Sequence, residues 1–300
     1  MDYDDPFFDF ARHPDYPPAP TAPWWAAAKL RWLLAAPALA LVVVILIGQE
    51  IRWAGGQVMA TWWADRAEQS FSEDDYPAAL EQIDEALRWL PGQPQLYFVR
   101  AQIREADQDL YGALADYDLV IEYAPKLARA YSARGELHRR LGLYREAIDD
   151  LTRVIELRPA SDPLPLNHRA YARALAGIEL PQALSDVEKA IALTDQPDAA
   201  LLDTRGYIHY LLGDIKSAQA NIDQAIAQAE RETEQFLESQ HLESLSPPER
   251  ERVEKVLKEN LAVMYHHRGL IHQRLGHDDL ARRDQELAAR HGYNPFLGVE

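Results

Sequence analysis

Apolar and polar positions recur along residues 60–295 with a period of about 34 residues. Each copy of the period contains an alanine, and apolar residues follow most of these alanines at four and seven positions. That spacing is typical of one face of an amphipathic helix. The alanines are Ala79, Ala113, Ala147, Ala183, Ala218 and Ala281. The pattern therefore predicts about six similar helical units.

A second, earlier helix is predicted in each unit. An aromatic residue lies sixteen positions before four of the alanines, and a glycine lies twelve positions before three of them. The aromatic residues are Trp63, Tyr97, Tyr131 and Tyr265, and the glycines are Gly135, Gly206 and Gly269. Gly142, Gly213 and Gly276 fall where the two helices must be joined, as helix-terminating glycines do. Each unit is thus expected to be a helical hairpin, and stacked hairpins bury one another's apolar faces.

This arrangement resembles the tetratricopeptide repeat family over about four-fifths of the chain. The third unit carries the most signature residues, namely Tyr131, Gly135, Gly142, Tyr144, Ala147, Leu151, Val154 and Pro159. The resemblance implies an all-α fold, an α-solenoid of about six hairpins over 57–295. The units are expected near 60–93, 94–127, 128–161, 164–198, 199–230 and 262–295. Unit four departs from the pattern in having Asn167 at the aromatic position. In unit six, Asp278 and Gln285 stand at apolar positions, which suits a terminal capping helix whose outer face is exposed to solvent.

Residues 231–261 form an insertion between units five and six. Helical spacing continues on both sides of Ser246-Pro247-Pro248-Glu249, where Ser246 is a good N-cap with Glu249 three residues on. We expect a lengthened, charged helical hairpin there. Its charged face is interpreted as solvated, and a docking arm is the alternative.

The chain in front of the repeats has two parts. Residues 1–23 are acidic and rich in proline, which predicts a disordered tail whose DPFFDF segment is either a docking motif or a plain leader. Residues 24–56 are predicted to be a single transmembrane helix with flanks, because the core 32–48 has no charge and Trp32 and Trp53 bracket it at about the thickness of a bilayer. A cleaved signal and a buried core helix are the alternatives; the long acidic leader disfavours the signal.

Orientation follows from the slight excess of Lys and Arg on the N-terminal side of the apolar core. The positive-inside rule then predicts a single-pass membrane protein with a cytoplasmic N-terminus and the solenoid on the non-cytoplasmic side.

Composition excludes several kinds of chemistry. A formal net charge of −17 with a pI near 5.0 argues against nucleic acid as a partner, and the absence of cysteine removes disulfides and thiolate ligands. His138, His209 and His272 each lie nine residues before a repeat alanine, so we interpret them as packing residues. The carboxylates of Asp149 and Asp150 are expected on outward helix faces. We predict no catalytic, metal or cofactor site and no enzyme.

Function is therefore expected to be binding. In the family that this chain resembles, the first helix of each hairpin lines a concave groove that holds an extended peptide or a partner helix. The corresponding positions here are Arg129, Glu136, Arg139, Arg140, His168, Asp203, Tyr207 and Tyr210. They predict a basic stretch beside an aromatic one, suited to an acidic or mixed peptide.

The predicted role is a membrane-anchored scaffold or adaptor for a protein or peptide partner, of the kind used in envelope protein assembly or quality control. Two alternatives remain open. One is a structural solenoid that self-associates into a homo-oligomer at the membrane, and the other is a regulatory subunit of an enzyme on another chain.

Overall fold

The computed structural model describes residues 53–158, 161–239, 244–294 and 298–299. Helix α1 covers residues 53–72. The helices that follow are α2 (Tyr76–Trp89), α3 (Pro94–Ala106), α4 (Leu110–Tyr123), α5 (Ala128–Arg140), α6 (Tyr144–Leu157), α7 (Leu164–Ala176), α8 (Leu180–Ala192), α9 (Ala199–Leu212), α10 (Ile215–Leu237), α11 (Pro247–Arg274) and α12 (Asp278–Arg290). A short antiparallel pair of strands, β1 (Tyr293–Asn294) and β2 (Gly298–Val299), closes the described chain.

Consecutive helices form six hairpins, from α1/α2 as unit one to α11/α12 as unit six. From unit two onward, the two helices of a hairpin pack together, and each second helix also packs on the first helix of the next unit. The first helices of units four, five and six contact one another directly. The described chain is therefore a continuous stack of hairpins, in which each unit is stabilised mainly by its neighbours. This confirms the all-α solenoid.

The core of the solenoid is the predicted apolar stripe on the second helices. Ala79, Ile83 and Ala86 have no exposed surface, and the corresponding residues of units two to five are buried as well. In unit six Asp278 and Gln285 are exposed, so the outer face of α12 meets water. Small residues on this stripe let the first helix of the same hairpin approach closely, which is why alanine recurs there.

The turn inside each hairpin contains a residue with left-handed backbone, and the turn of unit four contains two, Gly177 and Glu179. Gly142, Gly213 and Gly276 have φ between 74° and 86°. Units one and two use Asp74 and Gln108 at the same place, with φ of 60° and 64°. Aspartates then start several second helices: the carboxylates of Asp75, Asp109 and Asp214 accept a hydrogen bond from the backbone N–H three residues on.

The prediction of a single membrane-spanning helix is wrong for the described chain. No helix among the described residues is both long enough and apolar enough to cross a membrane. Residues 53–56, expected to flank the span, instead begin α1, which buries Ala60 and Ala67 against α2 as the first helix of the solenoid. The single-pass localisation, with the solenoid on the non-cytoplasmic side, rested on that helix and is corrected with it. The apolar core 32–48 and the tail 1–23, with its DPFFDF segment, lie outside the described residues.

The two longest helices of the described residues extend into the insertion, namely α10 of 23 residues and α11 of 28 residues. At the start of α11 the backbone N–H of Ser246 donates to the Glu249 carboxylate at 2.8 Å. Hydrogen bonds from the hydroxyl and the backbone N–H of Ser246 lower the pKa of Glu249. The ionised Glu249 also lies in the first turn, where the helix dipole favours a negative charge.

Candidate peptide-binding groove

The first helices are held in place by a repeated arginine–aspartate bridge. The guanidinium of Arg134 on α5 donates two hydrogen bonds, of 3.0 and 2.6 Å, to the buried carboxylate of Asp150 on α6. The same bridge joins Arg100 to Asp116, Arg169 to Asp186 and Arg268 to Asp284. In unit five Arg205 meets Asn221 instead, at 2.8 Å. The expectation that Asp150 lies on an outward face is wrong, because its carboxylate faces the arginine of its own hairpin.

Each bridge also reaches the unit before it. Arg134 donates to Asp118 on α4 at 2.6 Å, and Arg100 donates to Asp84 on α2 at 2.7 Å. One guanidinium thus ties three helices together, and its planar fork makes the bidentate part specific. The bridges fix how far each first helix is rotated, and so which of its residues face the groove.

Two of the three predicted packing histidines add to these bridges. The Nδ1 atom of His138 lies 2.9 Å from Asp150, and the Nε2 atom of His272 lies 3.6 Å from Asp284. His209 instead approaches Asp214 in the turn at 3.5 Å. Burial alone would raise the pKa of Asp150, but hydrogen bonds from His138 and Arg134 outweigh burial and lower it.

The predicted basic residues of the groove are paired with acidic neighbours. Arg139 makes two hydrogen bonds to Glu136, of 2.9 and 2.5 Å, and Arg140 reaches Glu105 of unit two at 2.5 Å. The Arg129 guanidinium lies 4.5 Å from the centre of the Phe98 ring. His168 is exposed, with Glu136 and Arg139 as charged neighbours. This end of the groove is therefore of mixed charge, and less basic than the residue types suggest.

The other end of the groove is aromatic. The ring of Tyr207 on α9 stacks on His267 of α11 at 4.1 Å and 10°. Tyr171 on α7 lies 6.4 Å from Tyr207, and Tyr210 lies 6.3 Å from Tyr207 on its other side. These four residues, Tyr171, Tyr207, Tyr210 and His267, form an aromatic surface that crosses the first helices of units four, five and six; the three tyrosines are partly exposed and the His267 ring is buried. Burial raises the pKa of Tyr207 to about 12, so its hydroxyl stays protonated.

Asp203 is buried and holds His267, a member of the aromatic surface, in place. It is 5% exposed, and its carboxylate accepts from the Nδ1 atom of His267 at 2.9 and 3.0 Å. The contact sets the orientation of the His267 ring, against which Tyr207 stacks. Of the eight predicted groove residues, only Tyr207 and Tyr210 belong to the aromatic surface.

Sequence reasoning missed Tyr171 and His267. Counting back from Ala183 places His168 in the groove, but Arg169 and Asp186 are 17 residues apart, whereas the other bridges span 16. Unit four therefore has one extra residue between its helices, next to Gly177. With that shift Leu166, not Asn167, occupies the aromatic position, and Tyr171 corresponds to Glu136 and Tyr207. The spacing of arginine and aspartate was the signal that could have revealed it.

Within the described residues, no group of three or more histidine, aspartate or glutamate side chains is arranged to hold a metal ion. The groove offers ring faces, paired charges and hydroxyl groups.

Comparison with known proteins agrees with this fold. The family profile described as tetratricopeptide repeat matches residues 128–161, which make up unit three. No curated protein matches the sequence. The other units repeat the recurring residues and the stacked hairpins of unit three, so the chain shares the fold of tetratricopeptide repeat proteins.

Solved structures share the architecture at low sequence identity. A tetratricopeptide repeat protein from Parabacteroides merdae has 16% identity and a TM-score of 0.56, covering 79% of this chain and 95% of its own. PilW, titled a widely conserved type IV pilus biogenesis factor, has 16% identity and a TM-score of 0.54, covering 79% and 96%. MamA from Desulfovibrio magneticus has 18% identity and a TM-score of 0.53, covering 58% and 96%. At these identities the likeness concerns the fold alone.

Proposed function

We propose that this protein is a binding scaffold whose concave groove holds an extended peptide segment of a partner protein. The observation that carries the proposal is the aromatic surface formed by Tyr171, Tyr207, Tyr210 and His267. These rings come from three successive first helices, and they contact one another although each helix belongs to a different unit. Aromatic side chains provide large contact areas at a small cost in side-chain entropy, which suits a recognition surface.

The charged end of the groove supports a peptide of mixed charge. Arg140 and Glu105 form a pair across units two and three, and Arg139 and Glu136 form a pair within unit three. Paired charges attract a ligand that can exchange partners with both members, whereas an excess of arginine would favour a purely acidic one. The partner segment is therefore proposed to carry an aromatic residue with charges of both signs on one side of it.

To test this, a peptide-display library is panned against the full-length chain. Enriched peptides are then measured against the wild type, Tyr210→Ala and Tyr111→Ala. Tyr111 is the matched control, because it is a tyrosine 73% exposed on the second helix α4, away from the aromatic surface.

The proposal expects Tyr210→Ala to weaken binding by about 1–2 kcal/mol, or roughly 5–30-fold, and Tyr111→Ala to leave it unchanged. Enriched peptides that bind Tyr210→Ala as tightly as the wild type would place recognition outside this groove. Two alternatives stay predictions: that the chain self-associates into a homo-oligomer, and that it is a regulatory subunit of an enzyme on another chain.

A further inference from the structure

The chain folds back on its own groove after the last helix. Gly292 has a φ of 94°, a left-handed conformation that turns the backbone directly after α12. The ring of the next residue, Tyr293, stacks on His266 of α11 at 4.2 Å and 18°. His266 precedes His267, which belongs to the aromatic surface. The turn thus delivers a tyrosine from the end of the chain to the edge of the proposed binding site.

Tyr293 shares a core cluster with one member of the aromatic surface, because both Tyr293 and Tyr210 pack against the same buried residues. The Tyr293 ring is half-buried and packs against the core cluster of units five and six. A side chain from the C-terminal segment therefore lies at the edge of the aromatic surface, on His266 beside His267.

The pairing of the two short strands adds little to the position of Tyr293. The strands β1 and β2 are two residues each, and so short a ladder has no stability of its own in water. The position of Tyr293 therefore comes mainly from the stacking of its ring on His266 and from its packing against the core cluster of units five and six. A contact of that kind is worth only about 0.5–1.5 kcal/mol beyond the area it buries, so a competing ligand can replace it.

We propose that the aromatic surface is a pocket for an aromatic side chain of an extended peptide, and that Tyr293 is its internal occupant, displaced when a partner binds. This inference rests on the proposed function and adds the identity of the key ligand group and a means of regulation. An internal occupant reduces the apparent affinity for the partner by the fraction of time that the pocket is open. It also keeps the edge of the aromatic surface covered while no partner is present.

The test uses the chain's own C-terminal sequence as the probe. A fluorescently labelled peptide RHGYNPFLGVE, identical to residues 290–300, is titrated with the full-length wild type and with full-length Tyr293→Ala. In the variant the internal tyrosine is gone and the labelled peptide should take its place. We expect at least about tenfold tighter binding to Tyr293→Ala than to the wild type, corresponding to a pocket open about a tenth of the time.

Two matched variants complete the design. Tyr293→Phe keeps the ring and should behave as the wild type, whereas Tyr111→Ala removes an exposed tyrosine from α4 and should change nothing. An unlabelled peptide with alanine in place of its tyrosine should not compete. Equal binding of the labelled peptide to the wild type and Tyr293→Ala, or no binding to either at millimolar concentration, would overturn the inference.

A second measurement does not depend on any variant. Burial lowers the pKa of His266 to about 4, and the Tyr293 ring is stacked directly on it. An NMR titration of the intact chain should therefore find a midpoint for His266 well below 6.5. A midpoint at the ordinary value would show that Tyr293 does not cover His266, and would overturn the inference even if Tyr293→Ala failed to fold.

The outcomes separate this inference from the proposed function. If display-selected peptides bind through Tyr210 while the labelled tail peptide binds the wild type and Tyr293→Ala equally, the groove is functional and the internal occupant is rejected. If the tail peptide binds Tyr293→Ala and no other peptide is ever enriched, the internal occupant stands and the partner-binding function fails.

Discussion

The Nδ1 atom of His267 lies 2.9 Å from one carboxylate oxygen of Asp203 and 3.0 Å from the other, although 64 residues separate them in the chain. Both side chains are buried. The contact joins the first helices of units five and six across the insertion, and it orients the imidazole on which Tyr207 stacks. A single buried pair thus couples the packing of the last unit to the shape of the groove.

Removal of His267 is predicted to be costly, because it leaves the carboxylate of Asp203 buried without this partner. His267→Ala should lower the free energy of unfolding by about 3–5 kcal/mol. The double variant Asp203→Leu, His267→Phe removes both polar groups and should recover part of that loss. Urea denaturation monitored by circular dichroism measures both. A loss below about 1 kcal/mol for His267→Ala would mean that the pair does not hold unit six.

The arginine–aspartate bridges provide a comparison within one chain. Asp150→Ala leaves Arg134 and His138 facing an empty site, and should cost about 3–5 kcal/mol. Asn221→Ala removes only a neutral amide from Arg205 and should cost about 1 kcal/mol. Thermal and urea unfolding of the two variants give the difference directly. Equal losses would mean that the charge of Asp150 contributes nothing to stability.

Two helical glycines should respond differently to alanine. At Gly206 an added Cβ would lie 2.7 Å from the Ile222 Cδ1 atom, so overpacking should outweigh the better helix propensity of alanine and lower stability by about 1–2 kcal/mol. At Gly269 the nearest atom would be 3.5 Å away, so alanine should be neutral or stabilising by up to about 1 kcal/mol. Melting temperatures of both variants test this; a destabilised Gly269→Ala would contradict it.

Stability is predicted to fall in mild acid because of His266. Burial lowers its pKa in the folded chain to about 4, with a smaller contribution from His267, while Asp203 opposes the shift. The unfolded chain therefore binds the proton first, and stability is lost as the pH falls from about 6.5 through 4.

Tyr293→Ala exposes His266 and should reduce this loss, since the desolvation that lowers the pKa is relieved. Urea midpoints at pH 7, 5.5 and 4.5 for the wild type and Tyr293→Ala provide the measurement. A wild type whose stability is the same at pH 7 and 4.5 would contradict the prediction, as would an identical pH dependence in Tyr293→Ala.

The repeat period was sufficient to predict the hairpins, because each unit packs through local residues such as Ala147 and Gly135. The period was not sufficient to predict the register of unit four, because one extra residue beside Gly177 shifts the count and Tyr171 is then missed. The bridges were overlooked although Arg134 and Asp150 recur at a fixed spacing in other units; a carboxylate on a helix is usually solvated, and only its partner on the neighbouring helix shows otherwise.

Contacts between distant parts of the chain were out of reach of sequence reasoning. Nothing in the residues around Asp203 indicates that His267, beyond a long insertion, is its partner. Tyr293 lies in a segment whose helical period has ended, so its stacking on His266 depends on how the whole solenoid curves. The membrane-spanning helix failed for a related reason: Trp53 was used as its boundary, and in the structure residue 53 belongs to α1.

Site-specific photocrosslinking tests the central claim most directly. A photoreactive phenylalanine analogue is placed at Tyr210 in one full-length variant and at Tyr111 in another, and each is irradiated with a display-selected peptide. The account predicts adducts from position 210 that excess RHGYNPFLGVE peptide suppresses, and none from position 111. Adducts formed equally from both positions, or only from position 111, would contradict a binding groove on the first helices.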